Sequence, residues 1–213
     1  MLNVSFTEDE SDLLKEVFNL AMGQAGAGLA ELLKSFVDLS VPGIRIIEAE
    51  KVVATVLEES VFSPADSVTA LRQSFSLDNN IDGEAIVIFN EQTIQTISGI
   101  FGIDDISGHA QEIEIMLEMS NIMAGACLNG ISNQLFTKDM SFNPPAVLAE
   151  KVELIKFVYS AFQRSLLKWE YTMMARITFN LKDKTFKSDL LIFMSEQMIE
   201  AVQKALQKML SEM

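Results

Sequence analysis

Two long stretches of the chain carry apolar residues at helical spacing, and both interrupt that spacing with polar residues in the same order. From Thr7 to about Val37 the apolar positions are Leu13, Leu14, Val17, Phe18, Ala21, Leu29, Leu32, Leu33 and Phe36, a three-four rhythm that predicts one long helix. Thr7 to Ser11 reads as its start, with Glu8, Asp9 and Glu10 placed at the positive end of the helix dipole. Pro42-Gly43 is the expected stop for this segment. Ile44 to about Leu57 reads as extended, or extended and then briefly helical. Thr69–Leu77 and Glu84–Phe89 read as strands of a hairpin turning over Asp78 to Gly83, and Glu91–Phe101 as a short amphipathic helix.

The same order then returns. A joint at Gly102 to Gly108 is followed by a predicted helix over Gln111 to about Phe136 and a loop at Asn143-Pro144-Pro145. Ala146–Phe157 reads as extended, and Trp169–Leu181 with Ser188–Met194 as a hairpin across Lys182 to Lys184. Glu196 to about Leu210 reads as a closing helix. The pairs Glu16/Glu118, Asn19/Asn121, Gly23/Gly125, Gly28/Gly130 and Pro42/Pro144 all share an offset of 102 residues, and Ile88-Phe89 matches Ile192-Phe193 at 104. One offset common to so many polar or special residues points to a duplicated unit carrying a duplicated site. We expect a single domain over 1–213 made of two repeats, about 8–103 and 110–213. Its expected class is α+β, an antiparallel sheet with pseudo-twofold symmetry and the long motif-bearing helices packed outside.

Composition narrows the function. Of 213 residues, 49% are hydrophobic, and 16 basic against 30 acidic residues give a net charge of -14. That balance argues against nucleic acid and against an anionic membrane surface, both of which need clustered Lys and Arg. The apolar runs Ala85–Phe89 and Leu190–Met194 are too short to span a bilayer, and the polar, acidic opening is no signal peptide, so a reducing cytoplasm is expected. One histidine, His109, and one cysteine, Cys127, leave little for a zinc site or a Ser-His-Asp triad. We read His109 as a loop residue and Cys127 as a small buried one. Twelve methionines and fourteen phenylalanines read as core filler.

Asp12, Glu16, Asn19 and Gly23 fall at steps of four, three and four, which lines them along one stripe of the first helix. A glutamate and an asparagine one turn apart project side by side. The carboxylate can hold a cation, while the carboxamide can donate one hydrogen bond and accept another, and so can grip a water molecule. Asparagine is a poor choice for a solvated helix interior, yet it recurs there twice, each time three residues after a glutamate. At Gly23 and Gly125 the missing side chain would let a partner's backbone approach. With no nucleophile and no phosphate clamp, the stripe reads as half of an active site.

The spacing resembles the signature of the CheC, CheX and FliY phosphatases of chemotaxis: Asp or Ser, three residues, Glu, two residues, Asn, twenty-two residues, Pro. Asp12, Glu16, Asn19 and Pro42 match throughout; Glu118, Asn121 and Pro144 match again, with Glu114 where Asp or Ser is usual. Two intact motifs in one chain look like CheC. The resemblance implies a hydrolase that removes the phosphoryl group from the aspartyl-phosphate of a CheY-like response regulator, terminating or adapting the signal. Glu16 and Glu118 would pair with a lysine of the regulator, and Asn19 and Asn121 would orient the attacking water. Asp12, Pro42, Glu114 and Pro144 would support them. The chain would bring no cofactor of its own; the magnesium would be the regulator's. A CheD-type deamidase is the further partner implied. The alternative is a noncatalytic adaptor that binds the regulator or CheD without altering its phosphate.

Overall fold

The computed structural model describes residues 5–78, 81–100, 108–136, 140–163, 167–181 and 187–212. The turn centred on residues 79–80, most of the joint between the repeats and the turn at 182–184 therefore lie outside the described residues.

The first helix forms where its periodicity places it. α1 spans Glu8–Leu33, and Thr7 caps it in a reciprocal box: the Glu10 backbone N–H donates to Thr7 Oγ1 and the Thr7 N–H donates to the Glu10 carboxylate at 2.8 Å. Gln207, from the last helix, also donates to Glu10 at 2.8 Å. The Thr7 backbone bond is the main reason that the Glu10 carboxyl sits below its ordinary pKa; burial opposes it, and the Gln207 amide adds to it. A carboxylate held low contributes stability that is fully present above its ordinary range and is lost as pH falls through its folded value. Thermal melts of Glu10→Ala should therefore show a loss of about 1 kcal/mol at pH 7 that shrinks toward zero in acid. A loss equal at pH 7 and pH 3 would remove the charge from this account.

α1 ends sooner than the sequence suggests. Lys34 adopts the left-handed conformation (φ 48°) and closes the helix, and β1 (Val37–Glu48) then runs straight through Pro42. The proline sits in an edge strand, where β1 pairs with β6 (Tyr171–Leu181), and the register shifts between Ser40 and Gly43. An edge strand with a bulge is the place in a sheet that tolerates a missing N–H. After a single 3₁₀ turn comes α2 (Val52–Glu59), then the hairpin of β2 (Ser67–Leu77) and β3 (Ile81–Asn90), and α3 (Glu91–Ile100).

The second repeat follows with α4 (His109–Leu135), β4 (Met140–Phe142), β5 (Ala146–Glu153), α5 (Leu154–Gln163), β6, β7 (Lys187–Met194) and α6 (Glu196–Ser211). Residues 52–57 belong to α2, the extended-then-helical alternative, whereas 154–157, expected as extended, open α5. His109 opens α4 instead of lying in a loop; its Nε2 lies 3.0 Å from Glu150.

Among the described residues, seven strands form one antiparallel sheet in the order β1-β6-β7-β3-β2-β4, with β5 also on β2. At its centre Ile86 faces Leu191 and Val87 faces Leu190. Val87 and Leu190 turn to one side of the sheet and Ile86 and Leu191 to the other, so paired residues of the two repeats share a face. The outer strands are swapped: β1 of the first repeat pairs with β6 of the second, while β4 and β5 of the second pair with β2 of the first. The fold class is the expected α+β arrangement with antiparallel sheet.

Both faces of the sheet are covered, which is why Ala85–Phe89 and Leu190–Met194 are unbroken apolar runs. Alternate residues Ala85, Val87 and Phe89 join α1, α4 and α6 in the larger core; Ile86 and Ile88 join Val52 and Val56 of α2 and Phe157 of α5 in the smaller one. Met116, Met119 and Met123 of α4 are fully buried in the larger core, as expected of filler. Where α1 crosses α4, a Cβ at Gly130 would lie 2.7 Å from the Ala21 carbonyl oxygen, so the glycine sets how closely the helices meet. At Gly28, its partner in the repeat, a Cβ would meet nothing within 4 Å.

Candidate functional site

Helical spacing decides what the stripe presents. Leu14, Val17, Phe18, Ala21 and Met22 turn α1's apolar side into the larger core, and Asp12, Glu16, Asn19 and Gly23 are left exposed on the opposite side. On α4 the residues Ile115, Met116, Met119 and Met123 are buried, and Glu114, Glu118 and Asn121 are exposed. Both carboxamides thus reach solvent from long, well-anchored helices. Gly23 and Gly125 face open space, since an added Cβ at either would meet nothing within 4 Å. Ala21 lies two residues after Asn19, and the Gly130 it touches lies nine residues after Asn121. At 1.5 Å per residue the two asparagines are therefore roughly 10 Å or more apart along the helices, as two separate sites.

The first site opens on a cleft of 380 Å³ between α1 and β1, lined by Asn19, Gly23 and Ala27 on one side and Phe36, Asp38 and Leu39 on the other. Gly26 packs against this strand, where an added Cβ would make ordinary contact with the Val37 carbonyl oxygen at 3.6 Å. Phe36 is 62% exposed and Leu20, beside Asn19, is 53% exposed, so the rim is apolar. Asp12 is paired with Lys15 at 2.8 Å. Among the described residues, the Asn19 side chain has no hydrogen-bond partner.

The second site is built differently. Gln73 of β2 donates from Nε2 to Asn121 Oδ1 at 2.9 Å and to the backbone carbonyl of Asn143 at 3.0 Å. The Asn143 N–H in turn donates to the Ser74 carbonyl at 3.0 Å. The next residue is Pro144, and Pro144-Pro145 separates β4 from β5. In each repeat, then, the proline of the motif interrupts an edge strand, as a register shift at Pro42 and as a break at Pro144. The twenty-two residues run from the last turns of a helix into an edge strand, and in the second repeat Gln73 bridges their two ends, Asn121 and Asn143.

Gln73 was not among the candidates read from sequence. It lies between Leu71 and Phe75 on the core-facing side of β2, and a lone carboxamide in such an apolar alternation is the signal that could have marked it. Cys127 is fully buried and burial pushes its thiol far up, so it is no nucleophile. Among the described residues, no three His, Cys, Asp or Glu side chains are grouped so as to hold a metal ion, and no helix is long and apolar enough to cross a membrane.

Comparison with known proteins follows the same lines. No family model matches the chain. It is 25% identical over 132 residues to the CheY-P phosphatase CheC of Bacillus subtilis, a match covering 59% of this chain and 60% of that protein, so it aligns with about three fifths of the relative's length. Among solved structures, FliY of Thermotoga maritima superposes with a TM-score of 0.64 at 16% identity, covering 95% of this chain and 98% of the other. FliM in its complex with SpeE from H. pylori gives 0.62 at 8% identity, with 96% and 97% covered. A CheC-like protein from Shewanella sp. PV-4 gives 0.51 at 12%, with 89% and 99% covered. At these identities the structural likeness is one of fold.

Proposed function

We propose, from the premise that this chain is a relative of the CheC/CheX/FliY chemotaxis proteins in sequence and fold, that it hydrolyses the aspartyl-phosphate of a CheY-like response regulator. The observation that carries this reading is the exposed carboxamide presented twice, at Asn19 and Asn121, each on a rigid helix and each one turn after an exposed carboxylate.

An acyl phosphate is already labile, and what it lacks is a water held in line with the P–O bond. Asn19 or Asn121 holds that water by its amide. As the water oxygen bonds to phosphorus, the bond to the regulator's aspartyl oxygen breaks, inorganic phosphate leaves, and the carboxylate is regenerated. Such chemistry depends on positioning and charge stabilisation more than on covalent help from the enzyme. The regulator brings its own magnesium and lysine. Glu16 or Glu118 pairs with that lysine and sets the dock, while Asp12 and Glu114, one turn earlier, extend the acidic stripe. The net charge of -14 supplies no long-range attraction to an acidic partner, so local pairing must hold the complex.

The test is decay of a 32P-labelled, phosphorylated CheY-type regulator with and without the chain. Acceleration at substoichiometric amounts supports the phosphatase, and unchanged decay despite binding supports an adaptor. The likeness to FliM in fold is the observation that favours that second reading. Replacing Glu16 and Glu118 together by glutamine should raise KM roughly three- to tenfold, the worth of a partly exposed ion pair, with a smaller effect on kcat. An unchanged KM would take the lysine-pairing role from both residues.

A further inference from the structure

Gln73 is buried to 2% exposure, yet its side chain reaches out of the sheet to the exposed asparagine of the second site. The backbone carbonyl of Asn143 can only accept a hydrogen bond, so the group that Gln73 turns toward it must be its NH2. The remaining N–H of that group then points at Asn121, which must answer with Oδ1. The Asn121 NH2 is left to face outward. The chain from backbone carbonyl to Gln73 to Asn121 thus removes the freedom that a solvated carboxamide has to flip.

The arrangement carries a cost that packing alone would not select. Gln73 Oε1 is buried with no hydrogen-bond partner among the described residues, on a core-facing side of β2 that also carries Leu71, Phe75 and Leu77. A leucine there would leave no orphaned acceptor; the glutamine stands where its side chain touches the candidate site. Among the described residues, Asn19 has no such partner. On β6, the strand of the second repeat that answers β2, the positions turned toward the larger core are Met173, Ala175, Ile177 and Phe179, and none of them carries a carboxamide.

We infer that Gln73 is a positioning residue that locks the Asn121 carboxamide with its NH2 toward solvent, so that the second site is preorganised and the first is not. This deepens the phosphatase reading, and its kinetic arm rests on it. The substitution to make is Gln73→Met, which keeps length and volume and removes both donors. Side-chain 15N relaxation of the full chain alone should show the Asn121 NH2 ordered in the parent and mobile in Q73M, with Asn19 mobile in both. On 32P-labelled CheY-type regulator, Q73M in an Asn19→Ala background should lower kcat roughly 10- to 100-fold with KM unchanged. In an Asn121→Ala background it should cause no further fall. Equal order of Asn121 in parent and Q73M overturns the inference, as does an equal loss of kcat in both backgrounds. A chain with no phosphatase activity would end the functional reading, and the relaxation measurement would still decide the positioning.

Discussion

The double substitution Asn19→Ala, Asn121→Ala is expected to return the decay of a phosphorylated CheY-type regulator to its unassisted rate, while binding changes little. The two carboxamides act on water, and neither is needed to hold the partner if the glutamates one turn away pair with it. Displacing an attacking group by about an ångström costs on the order of 100-fold, and removing the group that holds it should cost at least as much at each site. Neither residue packs into the core, so the melting temperature should stay within a degree or two of the parent. Single substitutions should reveal the imbalance between sites, with the loss of Asn121 the more damaging. Decay assays with the two single and the double variants, beside a titration of binding, decide the matter. If the double variant still accelerates decay, the asparagines do not deliver the water.

The second large effect concerns the helix crossing. Gly28 and Gly130 stand at the repeat offset and read alike in sequence, but the same substitution should act on them with opposite sign. In Gly130→Ala the new methyl would lie 2.7 Å from the Ala21 carbonyl oxygen, a backbone atom that cannot swing aside. The helices must part, at about 1–3 kcal/mol. Gly28→Ala meets open space and should raise stability by about 0.5–1 kcal/mol, because alanine loses less backbone entropy in a helix. Chemical denaturation of both variants provides the comparison. Equal stability of Gly130→Ala and the parent would mean that the crossing is looser than the structure has it.

What was legible in the sequence follows from the size of each signal. α1 and α4 are long enough for periodicity to be unambiguous, and the hairpins β2–β3 and β6–β7 were marked by apolar runs bounded by turn residues. The stripe Asp12, Glu16, Asn19 is exposed as read, because the opposite side of α1 carries enough apolar residues to decide the helix's orientation. The end of α1 was misplaced because Lys34 takes a left-handed conformation with neither glycine nor asparagine to announce it. Pro42 and Pro144, natural breakers, mark edge-strand irregularities here, a distinction that needs the sheet order. α5 follows directly on β5 and α2 follows β1 after one 3₁₀ turn, and Val52, Val53, Thr55 and Val56 favour extension in isolation. Only burial against the sheet makes them helical. Gln73 was hidden for a related reason, since its meaning depends on two partners 48 and 70 residues away.

The exchange of outer strands binds the fates of the two sites. Asn19's cleft is floored by β1, which owes its hydrogen bonds to a strand encoded far downstream, and Asn121 is steadied by a residue encoded far upstream. Over evolutionary time such a protein can silence the chemistry of one site by a single side-chain replacement, but it cannot shed the repeat that carries it. Divergence between the halves is therefore channelled into surface and positioning residues, of which Gln73 is one, while the shared scaffold is inherited as one piece.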